Sequence, residues 1–373
     1  MEKSKRISGS QVFFECLKNE KVTTIFGYPG GAVLPFYDTL YDIKDLKHIL
    51  VRHEQGAVHM AEGYAKATGK TGVVLVTSGP GATNTVTGIA DAFMDSVPIV
   101  VFTGQVPRSF LGLDSFQEAD VIGVTRPITK WNKLVRSPQE LLEAIPKAFE
   151  IANEGRPGPV LIDIPKDVAL EEFEFQGFTK RQKIHETKNQ DPKVKRDLFP
   201  KVLKALKKAK KPLLYFGGGV IQSGAHKELK EFVELTNIPF TSTLQGLGGL
   251  AGDHPNFLGM LGMHGTYCSN MAVDHSDLLI VLGARFDDRV TGKTSLFSKN
   301  SYKIHFDIDP SNMDKTIHCD LNVIGDLKNN LINLLPSLRK ERDLGRIIEN
   351  QKSWWNTLFS WKKQCPLNVN KTE

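Results

Sequence analysis

The segment Arg52-His53-Glu54-Gln55-Gly56-Ala57 places one acid, Glu54, directly after an apolar run, Ile49 to Val51, that reads as a strand. It continues as Val58-His59-Met60-Ala61-Glu62-Gly63-Tyr64-Ala65 in a helical pattern that stops at Gly69. An acid at the carboxyl end of a buried strand lies where open α/β sheets build their ligand crevices. In an apolar pocket such a group can hold or transfer a proton. It equally suits a plain helix start, since acids are favoured in first turns. Two glycine loops flank it: Gly27-Tyr28-Pro29-Gly30-Gly31 after the strand Thr24 to Phe26, and Ser78-Gly79-Pro80-Gly81-Ala82-Thr83-Asn84. Glycine lets backbone approach a flat ring closely, although each loop alone is also an ordinary β-to-α turn.

The elements that must position these residues are read from apolar runs. Val73 to Val76, Ile99 to Phe102 and Val160 to Ile164 alternate with helical patterns, which predicts a parallel sheet covered on both faces. Residues 1–165 therefore form one doubly wound α/β domain, and 166–192, polar and without that rhythm, read as a linker. A second doubly wound domain spans 193–338. Its strands are Leu213 to Phe216, Pro239 to Ser242, Leu278 to Leu282 and Lys303 to Ile308, and it closes with a helix from Leu327 to Leu335. Residues 339–373 form a tail whose Trp354, Trp355 and Trp361 share a helix and lack an obvious partner.

The second domain carries its own hint of ligand chemistry. Gly217-Gly218-Gly219 follows one strand and Asp307-Ile308-Asp309 ends another. Glycines admit phosphate or ribose and carboxylates accept from hydroxyls, as a dinucleotide requires. The pattern is not GxGxxG, so a plain α/β turn beside surface acids explains it equally well.

Taken together, the RHEQGA segment and the two glycine loops resemble the pyrimidine-binding half of a thiamine diphosphate enzyme. From Gly9 to Leu335 the chain resembles the large catalytic subunit family of acetohydroxyacid synthase (acetolactate synthase). Thr243-Leu244-Gln245-Gly246-Leu247-Gly248, Gly262-Met263-His264-Gly265-Thr266 and Gly283-Ala284-Arg285-Phe286-Asp287-Asp288-Arg289 resemble its FAD-binding domain.

The resemblance implies the following roles. Glu54 would stand beside the distal ring nitrogen of the cofactor's pyrimidine. Gly31 would lie at the reacting centre of the neighbouring subunit's cofactor, and Gln117, in Asp114-Ser115-Phe116-Gln117-Glu118, would reach the reacting species. Tyr28, Pro29, Gly30, Pro80 and Asn84 would contact thiamine diphosphate. Arg108, Phe116 and Lys166 would line the substrate channel. Arg156, Gly217, Gly218, Thr243, Leu244, His264, Gly283, Arg285, Asp287, Asp307, Ile308 and Asp326 would contact FAD, which is structural in this family. Arg289 would recognise the carboxylate of the second 2-keto acid as a planar fork, or else make a surface salt bridge with Asp288.

In the family Mg²⁺ and the diphosphate are held by a Gly-Asp-Gly motif in a third domain. No Gly-Asp-Gly occurs here: Gly252-Asp253 and Gly325-Asp326 are followed by His254 and Leu327, so no metal ligand is assigned. The expected reaction condenses a two-carbon unit from pyruvate with pyruvate or 2-ketobutyrate, in branched-chain amino-acid synthesis. Two alternatives stand beside it: a non-catalytic or partner-dependent fragment that binds FAD, and another thiamine diphosphate enzyme such as pyruvate oxidase. A homodimer or tetramer is expected, with a small regulatory subunit as a further possible partner.

Bulk properties bound the remaining classes. Apolar content of 40% and charged content of 24% fit a globular chain. The net charge of +6 comes largely from lysines between Thr179 and Lys211, with no pattern of basic residues interleaved with stacking aromatics, so nucleic acid is not an expected partner. The four cysteines, Cys16, Cys268, Cys319 and Cys365, show neither metal-ligand spacing nor a disulfide framework. No apolar run approaches the ~20 residues of a membrane span. The first residues run straight into a helix and leave no room for a targeting segment, so a cytoplasmic location is expected.

Overall fold

The computed structural model describes residues 5–178 and 196–366. They form two compact units, 1–190 and 191–373, each built on its own parallel sheet. The boundary near residue 193, the part of the expected linker from 179 to 192, and residues 367–373 of the tail lie outside the described residues.

In the first unit the strands are β1 (Lys5–Ser8), β2 (Thr24–Tyr28), β3 (Lys47–Leu50), β4 (Gly72–Val76), β5 (Ile99–Gln105), β6 (Trp131–Leu134), β7 (Val160–Pro165) and β8 (Glu172–Phe175). Six of them form one parallel sheet in the order β3-β2-β4-β5-β7-β6. The chain goes from β2 outward to β3 and then returns past β2 to β4. The strand order therefore reverses between β2 and β4, and a crevice opens outside their carboxyl ends. β4, β5 and β7 are buried along their whole length, as expected for strands covered by helices on both faces. On one face Phe13, Phe36 and Phe102 meet edge to face at 4.8 to 4.9 Å between centroids, a geometry that suits the ring quadrupole.

The segment 166–178 is structured. Lys166–Leu170 is helical, and β8 returns to pair antiparallel with β1, Ser8 opposite Glu172. Its polar composition comes from one face of a strand: Glu172 and Glu174 are exposed, while Phe173 and Phe175 pack on the core.

The second unit holds β9 (Pro212–Phe216), β10 (Phe240–Ser242), β11 (Phe257–Met260), β12 (Leu278–Leu282), β13 (Tyr302–Asp307) and β14 (Leu321–Ile324). All are parallel, in the order β11-β10-β9-β12-β13-β14. Counted within the unit this is 3-2-1-4-5-6, the dinucleotide-binding Rossmann order, with its switch point between β9 and β12. The tryptophans of the C-terminal helix Lys352–Gln364 do have a partner, contrary to expectation. Trp354 is 2% exposed and donates to the Pro212 carbonyl at 3.1 Å, and Trp355 donates to the Asn237 carbonyl at 3.2 Å. Indoles offer a large apolar face and one donor, so such a helix seals an α/β layer where backbone carbonyls are left over. Among the described residues no helix is long and apolar enough to cross a membrane.

Candidate active site

Glu54 opens the helix Glu54–Thr68 in the first unit. The helix starts there because His53 is extended and its Nδ1 accepts from the Gln55 amide at 3.1 Å. It ends because Gly69 adopts the left-handed conformation, φ 70°, that glycine tolerates best. Its buried face is Ala57, Val58, Ala61 and Ala65. Small residues let the helix lie close to the sheet: a Cβ on Gly72 of β4 would stand 2.4 Å from the Ala61 carbonyl oxygen. This packing fixes Glu54 at the rim of the β2–β4 crevice, only 8% exposed.

The second glycine loop turns toward it. Asn84, at the end of the short helix Pro80–Thr83, donates its side-chain amide to Glu54 Oε2 at 2.9 Å. The other oxygen, Oε1, lies 3.4 Å from where a Cβ on Gly81 would be. A buried carboxylate is thus steadied on one oxygen while the other faces a position stripped of side chain. Thr77, just past β4, ties both loops together. Its hydroxyl accepts from the Ala32 amide at 3.3 Å, and its methyl would be 2.5 Å from a Cβ on Gly30 and 2.6 Å from one on Gly81.

Gln117 joins this group through its backbone. It has φ 57°, an uncommon conformation for a residue with a Cβ, and it presses against Gly79. A Cβ on Gly79, itself at φ 56°, would lie 2.6 Å from the Gln117 carbonyl oxygen. The Glu118 carboxylate holds the loop by accepting from the Gly112 and Ser115 amides at 2.5 and 2.9 Å, which lowers its pKa. Gly31 and Tyr28 are exposed, and Phe116 is 87% exposed. Such an arrangement can bind a flat heterocycle against backbone and present one carboxylate to a ring nitrogen.

In the second unit the β9 and β12 ends nearly touch. The Gly219 amide donates to the Gly283 carbonyl at 3.0 Å, and a Cβ on Gly283, at φ 56°, would lie 2.7 Å from the Gly219 Cα. Gly217 is equally confined: a Cβ there would lie 2.6 Å from the Gly283 oxygen. The result is a cradle of bare backbone at the switch point, where a dinucleotide's phosphates are received in this strand order.

The comparisons with known proteins cover both units. Residues 7–124 match the thiamine pyrophosphate enzyme N-terminal TPP binding domain, and residues 200–334 match the thiamine pyrophosphate enzyme central domain. The chain belongs to the thiamine pyrophosphate enzymes. Within them it is similar to acetolactate synthase large subunits. It is 46% identical over 366 residues to that of Buchnera aphidicola subsp. Schizaphis graminum, covering 98% of this chain and 63% of the relative. The isozyme 3 large subunit of Escherichia coli K12 is 42% identical over 360 residues, 96% of this chain and 62% of its own. The mitochondrial catalytic subunit of Saccharomyces cerevisiae is 45% identical over 377 residues, 96% of this chain and 54% of its own. The chain thus spans less than two thirds of the length of these relatives.

Against this thiamine pyrophosphate enzyme frame, several other candidate residues are already engaged. Arg108 gives Nε to Asp167 at 2.7 Å, Nη2 to Glu171 at 2.6 Å and Nη1 to the Arg136 carbonyl at 2.7 Å. The two carboxylates hold its guanidinium above the usual range, and Arg108 in turn holds the Asp167 carboxyl below its own. Lys166, beside Asp167, is half-buried. Arg156 lies in the first unit, donating Nε to Ser96 at 2.7 Å. In the second unit Asp307 accepts from the Asp309 amide at 2.9 Å and from Asn312 at 3.3 Å, and half-buried Ile308 follows it. Asp326 caps the helix Leu327–Arg339 through the Asn329 amide at 2.9 Å. Arg285 and Asp287 approach within 3.4 Å. Thr243 caps its own turn, accepting from Gly246 at 3.1 Å. Leu244 and His264 are exposed and Gly218 is half-buried. Arg289 is largely exposed, 3.8 Å from Asp288.

Sequence reasoning passed over one group beside the site. Asp163 of β7 is 1% exposed and accepts from Thr103 Oγ1 at 2.7 Å and Gln105 Nε2 at 2.9 Å. The same Gln105 nitrogen donates to the Ala119 carbonyl at 3.0 Å, two residues beyond Gln117. Burial pushes the Asp163 carboxyl up to about 7 against the pull of those two hydrogen bonds. The available signal was one acid inside an otherwise apolar central strand.

Proposed function

We propose that this chain supplies the pyrimidine-binding and central domains of an acetolactate synthase. The reaction joins a two-carbon unit from pyruvate to pyruvate or 2-ketobutyrate, in the synthesis of branched-chain amino acids. The observation that carries the reading is Glu54, buried at the β2–β4 switch point, fixed by Asn84 and facing glycine backbone. Thiamine diphosphate, when bound, supplies the electron sink for the carbanion. Glu54 would hold a proton at the ring nitrogen of its pyrimidine, with Pro80 and the Gly30–Gly31 backbone against the ring. Gln117, in its fixed loop, would face the reacting atoms. Arg108, Phe116 and Lys166 would border the entry path, and Arg289 would take the carboxylate of the second keto acid.

The cradle of Gly217, Gly219 and Gly283 suits the pyrophosphate of FAD, with Arg285, Asp287 and Asp307 at its edge. Mg²⁺ belongs to the same reading, but its ligands are not assigned to residues of this chain. A homodimer or tetramer in the cytoplasm, with a small regulatory subunit, completes the proposal.

The test is acetolactate formation from pyruvate by the chain joined to the remaining third of a relative, with thiamine diphosphate, Mg²⁺ and FAD added. Glu54→Gln should lower turnover by ~100-fold or more while flavin fluorescence shows FAD still bound. Unchanged turnover would remove Glu54 from its role. Absence of product from every such fusion, with FAD bound, would favour the non-catalytic reading.

A further inference from the structure

Two helices of the first unit meet on a polar face outside the crevice. His59 and Glu62 are three residues apart on Glu54–Thr68 and so share a face. Asp91 comes from the facing helix Val86–Asp95. One ligand atom from each lies within 4.8 Å of the other two. His59 Nδ1 is 2.7 Å from Glu62 Oε2 and 3.6 Å from Asp91 Oδ2.

Glu62 is the informative member. It is 4% exposed, and its second oxygen, Oε1, is buried without a hydrogen-bond partner among the described residues. A buried carboxylate oxygen left without a donor costs free energy that a histidine on the other oxygen does not remove. Burial raises the Glu62 pKa, and the Asp91 carboxylate adds to the rise. The nearby cation does not settle the balance, because the Lys66 ammonium is bound to Asp95 at 2.8 Å.

We infer that His59, Glu62 and Asp91 form a binding site for a divalent first-row transition ion such as Zn²⁺, with its remaining positions open to water. Imidazole with two carboxylates is a donor set for such ions; Mg²⁺ and Ca²⁺ prefer oxygen alone. Ligand atoms bound at ~2.0–2.1 Å around a tetrahedral ion stand roughly 3.4 Å apart, within the spread found here. His59 Nε2 lies 3.5 Å from the Gln55 side-chain amide, whose oxygen, after an amide flip, accepts the ring N–H and fixes Nδ1 as the ligand. The ion would clip together the helix that begins with Glu54 and the helix that follows Asn84. It would thereby brace the site from behind without touching it.

The experiment is calorimetric titration of the untagged, metal-free chain with ZnCl₂ alone, with a parallel CoCl₂ titration read by visible absorption. One equivalent should bind, with affinity at least tenfold lower in His59→Ala and in Asp91→Asn. Zn²⁺ should raise the Tm of the parent chain and not of the variants. Asp91 is half-exposed, so Asp91→Asn keeps the fold if His59→Ala does not. Cys365 is exposed and is replaced in a control, Cys365→Ser. Zn²⁺ binding that survives both cluster variants, or that disappears in Cys365→Ser, overturns the site. So does the absence of stoichiometric binding. No substrate or thiamine cofactor enters the readout, so the result is independent of the acetolactate proposal.

Discussion

Removing the ionisable group at Asp163 should change how the first unit responds to pH. In the unfolded chain this carboxyl titrates near 3.8, while in the folded unit burial raises it to about 7. At about pH 5 the unfolded chain has released the proton and the folded one still holds it, so the folded state binds more protons. Stability must then fall as pH rises, through about 7, and level off above it. Between about pH 5 and about pH 8 roughly two units of difference are lost, which at ~1.4 kcal/mol per unit is about 3 kcal/mol. Asp163→Asn has no proton to lose. It keeps an acceptor for Thr103 but sets its own N–H₂ against Gln105 Nε2, or forces Gln105 to turn its nitrogen toward the Val106 amide that now donates to Gln105 Oε1 at 2.9 Å. One buried hydrogen bond is therefore mismatched, a cost of about 1–3 kcal/mol.

The assay is urea unfolding of both proteins across that pH range, followed by amide exchange in β5 and β7. The parent should be clearly more stable than Asp163→Asn at about pH 5, and the gap should shrink by about 3 kcal/mol toward pH 8. A gap that stays constant with pH would refute the reasoning, because it would mean Asp163 titrates alike in both states.

Three further outcomes are expected. Gly79→Ala should cost ~1–3 kcal/mol and loosen the Gln117 loop, since φ 56° and a contact at 2.6 Å leave no room for a methyl; proteolysis between residues 110 and 120 reads this directly. Gly283→Ala should weaken or abolish FAD binding, measured by flavin fluorescence, because its Cβ would meet the Gly219 backbone at 2.7 Å. Trp354→Ala should lower the stability of the second unit by ~3–5 kcal/mol, seen in its urea midpoint, since it removes a fully packed indole and its bond to Pro212.

Much of the architecture was legible because buried parallel strands are apolar on both faces. β4, β9 and β12 stand out in the sequence for that reason, and the glycine loops fall at their carboxyl ends. Glu54 was legible from its place after β3. Three features were hidden. Asp163 lies inside such a strand, where a run of apolar neighbours masks one acid whose partners, Thr103 and Gln105, are about sixty residues away. Residues 172–175 alternate Glu and Phe, so composition looks like linker while the period of two is that of an edge strand. Trp354 and Trp355 bond to the carbonyls of Pro212 and Asn237, a pairing no local pattern announces.

The position of Thr77 has a consequence for how this sequence can change over time. Its one methyl occupies the space that a Cβ would need at Gly30 and at Gly81. A side chain gained at either glycine is admissible only with a smaller residue at 77, and that change alone would leave a gap beneath both loops. The three positions should therefore drift as a covarying set: single replacements purged, and compensated pairs tolerated at a cost below the sum of the separate ones.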